Sequence, residues 1–236
     1  MDTSLDRVRL SEQIQESILS SIRSGEFPAG SKLPSERMLM EMFDVGRPSV
    51  KEALLMLERK GFVRLKRGVA PVVISPTPED AMDAIGDMVA AMLSDETHRA
   101  EFYDLRIILE TAAAMEAARQ QDPDDIASLE EALGACKASR GEAEAFRDAD
   151  RAFHRCLMAV SGNSVANAFH GALIEWGLFN PESGPRLDQI HERVISQHAG
   201  IVSAVRNGEP LEAADALRHH LMTRRDAVAG EPATHA

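Results

Sequence analysis

Aromatic residues are scarce in this chain: one Trp, one Tyr and eight Phe make up 4% of 236 residues. A core built here must rest on aliphatic contacts, and eleven Met among abundant Ala suit packed helices. Cysteine is rarer still. Cys136 and Cys156 cannot form a disulfide framework, so a reducing compartment is expected. No apolar run reaches the length of a membrane span, and no charged-then-apolar leader opens the chain. These absences argue against a disulfide scaffold or an integral helical membrane protein, and predict an untargeted cytoplasmic protein with no membrane partner.

Positive charge is also in deficit, with a formal net charge of −12. The deficit is uneven: residues 1–75 carry 12 Lys/Arg against 10 Asp/Glu, and residues 76–236 carry 14 against 28. A phosphate field acts locally, so an acidic chain with a balanced N-terminal segment is compatible with nucleic acid. The asymmetry predicts two domains with different partners.

Periodicity supports that division. Ile14, Ile18 and Ile22 recur every four residues from Val8 to Ser24, predicting an amphipathic helix with Ser11 as a candidate N-cap. "SGEFPAGSKLPS" breaks it with two glycines and two prolines. Ser35 is placed to cap a short helix through Met42 that turns Leu39 and Phe43 inward. After "DVG", a third helix spans Arg47 to Lys60, burying Val50, Leu54 and Leu57, with Gly61 as its stop. Two strands, "FVRL" and "VAPVVI", are joined by Lys66, Arg67 and Gly68. The pattern is a winged helix-turn-helix over residues 8–75. "SPTPED" reads as a linker, assigned to 76–80. Beyond it, helices are predicted near 79–93, 98–120, 123–139, 142–161, 164–179, 185–207 and 209–228. This makes residues 81–229 an all-α bundle of six or seven helices. The fold class is mainly α.

The third helix has the form of a groove reader. Small residues at its start let the backbone approach bases, Pro48 is tolerated in a first turn, and Arg47 and Lys51 share a face. Arg37 on the preceding helix is within reach of the same groove, and Lys66 and Arg67 sit at the hairpin tip. The stretch "LPSERMLMEMFDVGRPSVKEALLMLERKGFVRLKRG" resembles the winged helix of the GntR-type bacterial transcription regulators. That resemblance covers residues 10–75. It implies contact with double-stranded operator DNA through Arg37, Arg47, Ser49 and Lys51, with Lys66, Arg67 and Gly68 forming the wing. Two positions depart from the family pattern: Gly46 stands where a capping Ser is usual, and "KRGVAPVV" replaces the common glycine-rich wing.

In the helical half, Asp150 and His154 stand four apart on one face, and His198, His219 and His220 lie on the last two helices. Helix bundles build metal sites from facing side chains in this way. One carboxylate and three imidazoles suit zinc or another borderline metal such as Ni2+ or Mn2+. A surface Asp–His pair is the plainer alternative. This half is similar to the FadR-type branch with an all-α FCD effector domain. The resemblance assigns Asp150, His154, His198 and His220 as metal ligands, leaves His219 as an exposed polar residue, and matches Arg106 to an effector-gripping arginine. His191, seven residues before His198, is read as structural, and Asn163 as a helix cap.

Two readings of Arg106 stand open: it grips a ligand carboxylate bidentately, or it pairs with Asp104 or Glu110. "AFHGALIEW" resembles a stretch of the sialic-acid-responsive repressors of this branch, which implies His170, and less directly Trp176, beside an effector cavity. The expected function is thus a homodimeric, ligand-responsive DNA-binding regulator, of repressor sense, controlling catabolism of a small carboxylate or sugar acid. The competing reading is a metal-dependent enzyme using the Asp/His cluster. Against it, no general base or nucleophile motif accompanies the cluster, so no enzymatic activity is expected.

Overall fold

The computed structural model describes residues 3–178 and 187–229, with side chains described over 10–176 and 187–223. The chain divides into two compact units at Ala84/Ile85.

In the first unit, α1 (Thr3–Arg23) and α2 (Glu36–Phe43) pack on α3 (Arg47–Arg59). Ile14, Ile18, Leu19, Leu39, Val50, Leu54 and Leu57 form the core. The α1 helix begins five residues before the predicted start, so Ser11 is not its cap but a fully buried residue in its interior. Ser35 does cap α2, accepting from the Met38 N–H at 3.3 Å. Asp44 then takes a left-handed conformation (φ 50°) and turns the chain into α3. Gly46 gives α3 no side-chain cap, and Gly61 at φ 73° ends it.

The strands are shorter than their hydrophobic runs. β1 (Val63–Arg64) pairs antiparallel with β2 (Val72–Val73). The interhelical loop supplies further pairing: Gly30 donates to the Val73 carbonyl and Val73 to the Ser31 carbonyl, each at 2.8 Å. A "breaker" segment thereby covers the outer edge of β2, which an exposed hairpin would leave open.

The segment read as a linker is instead a helix start. α4 (Pro78–Met92) opens with a reciprocal cap, Thr77 N–H to Asp80 Oδ2 at 2.8 Å and Asp80 N–H to Thr77 Oγ1 at 3.1 Å. Thr-Pro-x-Asp is an N-terminal signature: Pro suits the first helical position and the acid satisfies an orphan N–H.

The second unit continues with α5 (Glu96–Gln120), α6 (Pro123–Ala138), α7 (Ala143–Ala159), α8 (Ser164–Leu173), α9 (Leu187–Arg206) and α10 (Pro210–Ala229). A π-helical turn, Ile174–Leu178, extends α8. Asp95, Asp122 and Asn163 cap α5, α6 and α8 through side-chain oxygens. α5 lies against α10, α9, α7 and α8, while α6 packs on α7 and α9. The core is aliphatic, with Leu129, Leu157, Ile201, Leu217 and Leu221 fully buried around Phe153. The predicted breaker "NPESGP" lies outside the described residues. Among the described residues, no helix is long and apolar enough to cross a membrane.

Candidate nucleic-acid interface and metal centre

The capped start of α2, one face of α3 and the wing together line a groove of about 690 Å³. Its walls carry Arg37, Arg47, Lys51, Lys66, Arg67 and Gly68, all exposed. Gly68 adopts φ 75°, and the Val69 N–H closes the turn on the Lys66 carbonyl at 3.1 Å. Left-handed backbone at the tip favours glycine there, and it turns Lys66 and Arg67 outward. Ser49 is the exception among the predicted contacts. It is buried, 6% exposed, on the inward side with Val50, and does not share the face of Arg47 and Lys51.

Two of the groove's cations hold partners. The Arg47 Nε donates to Glu36 Oε2 at 3.1 Å, and the Arg37 Nε to Glu41 Oε1 at 3.1 Å. Both pairs are solvent-exposed, a setting in which such bonds are worth ~0–1 kcal/mol and exchange easily for a phosphate or a base edge.

In the second unit, Asp150 and His154 from α7, His198 from α9 and His220 from α10 converge, with one ligand atom from each within 4.8 Å of the others. All four are buried. His220 Nε2 lies 3.3 Å from both His198 Nε2 and His154 Nε2. The Asp150 Oδ1 lies 3.5 Å from His198 Nε2 and 3.8 Å from His154 Nε2. Nitrogens ~2.0–2.1 Å from a common tetrahedral zinc lie about 3.3–3.4 Å apart. The His220 separations match that value, and the four atoms lie close enough together that they could hold one metal ion.

The outer hydrogen bonds point the same way. His154 Nδ1 meets Glu110 Oε2 at 2.5 Å, and His220 Nδ1 meets Gln197 Oε1 at 2.9 Å. A carboxylate and an amide oxygen only accept, so both Nδ1 atoms carry a proton and each Nε2 is the atom turned to the cluster. Burial holds the His154 pKa below its ordinary value, Glu110 only partly opposing, which leaves the ring in the neutral form that ligates metals. His198 is set by Phe153, stacked on it at 3.9 Å, and by Cys136, whose Sγ lies 3.9 Å from Nδ1. Burial, and then the Asp150 charge, push the Cys136 thiol up to about 12.

Arg106 makes the pairing named in the second of its two readings. It is 1% exposed and its Nε donates to Glu110 Oε1 at 2.5 Å. His170, also buried, meets that same oxygen through Nε2 at 2.8 Å. Burial would raise the Glu110 pKa, but Arg106, followed by His154 and His170, holds it well below the usual carboxylate range. His191 stacks on Phe146 at 3.7 Å and accepts from the Gly141 N–H at 3.1 Å, a structural role. His219 is exposed, and Trp176 is half-buried, packed on the core with its ring edge-on to Phe169.

Sequence reasoning saw Glu110 only as a structural partner of Arg106, and missed Gln197 and Cys136 altogether. The one local signal was the Arg106–Glu110 spacing of four. Nothing local announced that His154 and His170, 44 and 60 residues further on, would meet the same carboxylate.

Residues 10–73 match the model of the bacterial regulatory proteins of the gntR family, and residues 101–223 match the FCD domain. The chain belongs to the GntR family of the FCD type. It is 36% identical to the HTH-type transcriptional repressor NanR of Cronobacter sakazakii over 92% of this chain and 84% of that protein. It is 37% identical to the NanR of Escherichia coli, over 92% and 83%. Among solved structures, a GntR protein of Streptococcus agalactiae shares the fold at TM-score 0.59 and 24% identity, covering 92% of this chain and 99% of that one. This GntR-family chain is thus a ligand-responsive, DNA-binding transcription regulator. Its relatives' regulatory role favours that reading of the buried cluster over the enzymatic one.

Proposed function

We propose that this regulator is a cytoplasmic, homodimeric repressor. Its α3 and wing hold operator DNA through Arg47, Lys51, Arg37, Lys66 and Arg67, until a small carboxylate effector of the sugar-acid class, such as sialic acid, binds the FCD domain. Relatives that carry the name of a transcriptional repressor at 36–37% identity support the repressor sense. The uncapped start of α3 supports phosphate contact, because orphan N–H groups at a helix N-terminus favour an anion.

The sensing half rests on one observation: the Nε2 atoms of His154 and His220 face each other at 3.3 Å, beside Asp150 and His198. These four residues would hold Zn2+, or Ni2+ or Mn2+, which supplies a Lewis-acid anchor for carboxylate oxygens. Arg106 and His170, both engaged with Glu110, are the groups we assign to the rest of the ligand. An effector that binds one arrangement of the dimer more tightly shifts the population toward it and changes operator affinity.

The test is a thermal-shift screen of the full-length protein with zinc, N-acetylneuraminate and other sugar acids, followed by gel shifts on its own promoter region. Stabilisation by one acid together with release of DNA supports the reading. No stabilisation by any acid, and no preference for the promoter over random duplex, removes it.

A further inference from the structure

Glu110 is fully buried on α5 and both of its oxygens are used. Oε2 faces the His154 Nδ1, while Oε1 is shared by the Arg106 Nε and the His170 Nε2. Because a carboxylate only accepts, its contact with Nδ1 dictates which nitrogen of His154 is left with a lone pair. The Nε2 so exposed is the atom that lies 3.3 Å from the His220 Nε2 and 3.8 Å from the Asp150 Oδ1. Arg106 stands one turn before Glu110 on the same helix and supplies the counter-charge that lets a carboxylate exist at zero exposure.

We propose that Glu110 is a positioning residue for metal binding: it locks His154 in the Nδ1–H tautomer and aims its Nε2 at the cluster, while Arg106 and His170 clamp its other oxygen. The inference rests on the metal reading of Asp150, His154, His198 and His220. Carboxylates behind ligating histidines commonly contribute 10–100-fold to metal affinity. The same carboxylate occupies the two groups assigned to an anionic effector. A change at Arg106 or His170 is therefore transmitted to a metal-facing nitrogen through a single side chain, with no helix movement required.

Glu110→Gln keeps the shape and removes the charge and one acceptor oxygen. The experiment is zinc titration of chelator-stripped, full-length protein against a chromophoric chelator, with circular dichroism to establish folding. The expected result is a folded variant that binds zinc about 10–100-fold more weakly than wild type. A folded variant with wild-type zinc affinity overturns the proposal and leaves the metal reading standing. A wild-type protein that takes up no zinc removes the metal reading and the proposal with it. Should the variant fail to fold, long-range proton–nitrogen NMR of zinc-loaded wild type decides. Assignment of His154 as protonated on Nδ1 supports the proposal, and ligation through Nδ1 overturns it.

Discussion

His154 and His220 meet Nε2 to Nε2 at 3.3 Å with neither ring exposed to solvent. Each has its other nitrogen committed to an acceptor, Glu110 or Gln197, which leaves the two Nε2 atoms directed at one another. Metal content is the direct test of the proposed site. Zinc at about a hundred times its dissociation constant should add about 2.7 kcal/mol to the stability of the stripped protein. His198→Ala with His220→Ala should abolish both that gain and the bound metal. Elemental analysis showing a full complement in the double variant would disprove the cluster as the site.

Arg47→Ala should weaken binding to the cognate operator by about 1–3 kcal/mol and relax base preference there, while Lys66→Ala should lower affinity for all duplexes and reduce the salt slope by about 1. The distinction follows from placement: Arg47 opens the helix facing the groove, whereas Lys66 lies at the hairpin tip. Salt-dependent gel shifts separate the two. Unchanged affinity in both variants would withdraw the interface.

Arg106→Met removes the counter-charge of a carboxylate with no access to water. Breaking a buried pair from one side typically costs about 3–5 kcal/mol. Denaturant melts should therefore show a large loss of stability, and Glu110→Gln in the same background should recover part of it. If the double variant is no more stable than Arg106→Met alone, the two side chains do not compensate each other.

Phe153 is fully buried and stacked on His198. Phe153→Ala opens a cavity beside a proposed ligand, and ~3–5 kcal/mol of stability should go with it. Phe153→Leu, closer in volume, should retain the fold yet free the His198 ring. Zinc affinity falling in the Leu variant, with its melting behaviour largely kept, would separate orientation from packing. Equal affinity would make Phe153 core filler alone.

Acid should destabilise the metal-free protein in two stages. His154 is held below its ordinary pKa, chiefly by burial, so below about pH 6.5 the unfolded chain binds a proton that the fold resists. Glu110 is also held low, because Arg106 and its histidine partners outweigh burial; its contribution is present above the ordinary carboxylate range and is lost as pH falls below it. In both cases the unfolded state binds more protons, so stability rises with pH. Melting temperatures that stay flat from pH 7.5 to 4 would contradict these assignments.

Much of the architecture was legible beforehand because it is written in local spacing. Ile14, Ile18 and Leu39 bury at the positions that helical periodicity indicates, Ser35 and Asn163 cap where their side chains can reach, and Gly61 stops α3 with a positive φ. The errors were local competitions misjudged. "SPTPED" looked like a linker because its prolines outweighed the Thr77–Asp80 capping pair, and Ser11 looked like a cap because the helix was expected to begin later. The β2 edge pairing with residues 30–33 was invisible, since a segment rich in glycine and proline carries no strand periodicity.

The amino-acid order by itself determined which side chains share a helix face: Asp150 with His154, and Arg106 with Glu110, each one turn apart. Only the packed bundle decided that His198 and His220 complete the first pair, and that Glu110 serves His154 and His170 as well as Arg106. The reason is physical. Spacing along one helix follows from its pitch, whereas a meeting between helices depends on their axial offset and rotation. Those are set by Leu129, Phe153, Leu217 and the other core residues interlocking at a distance in the chain.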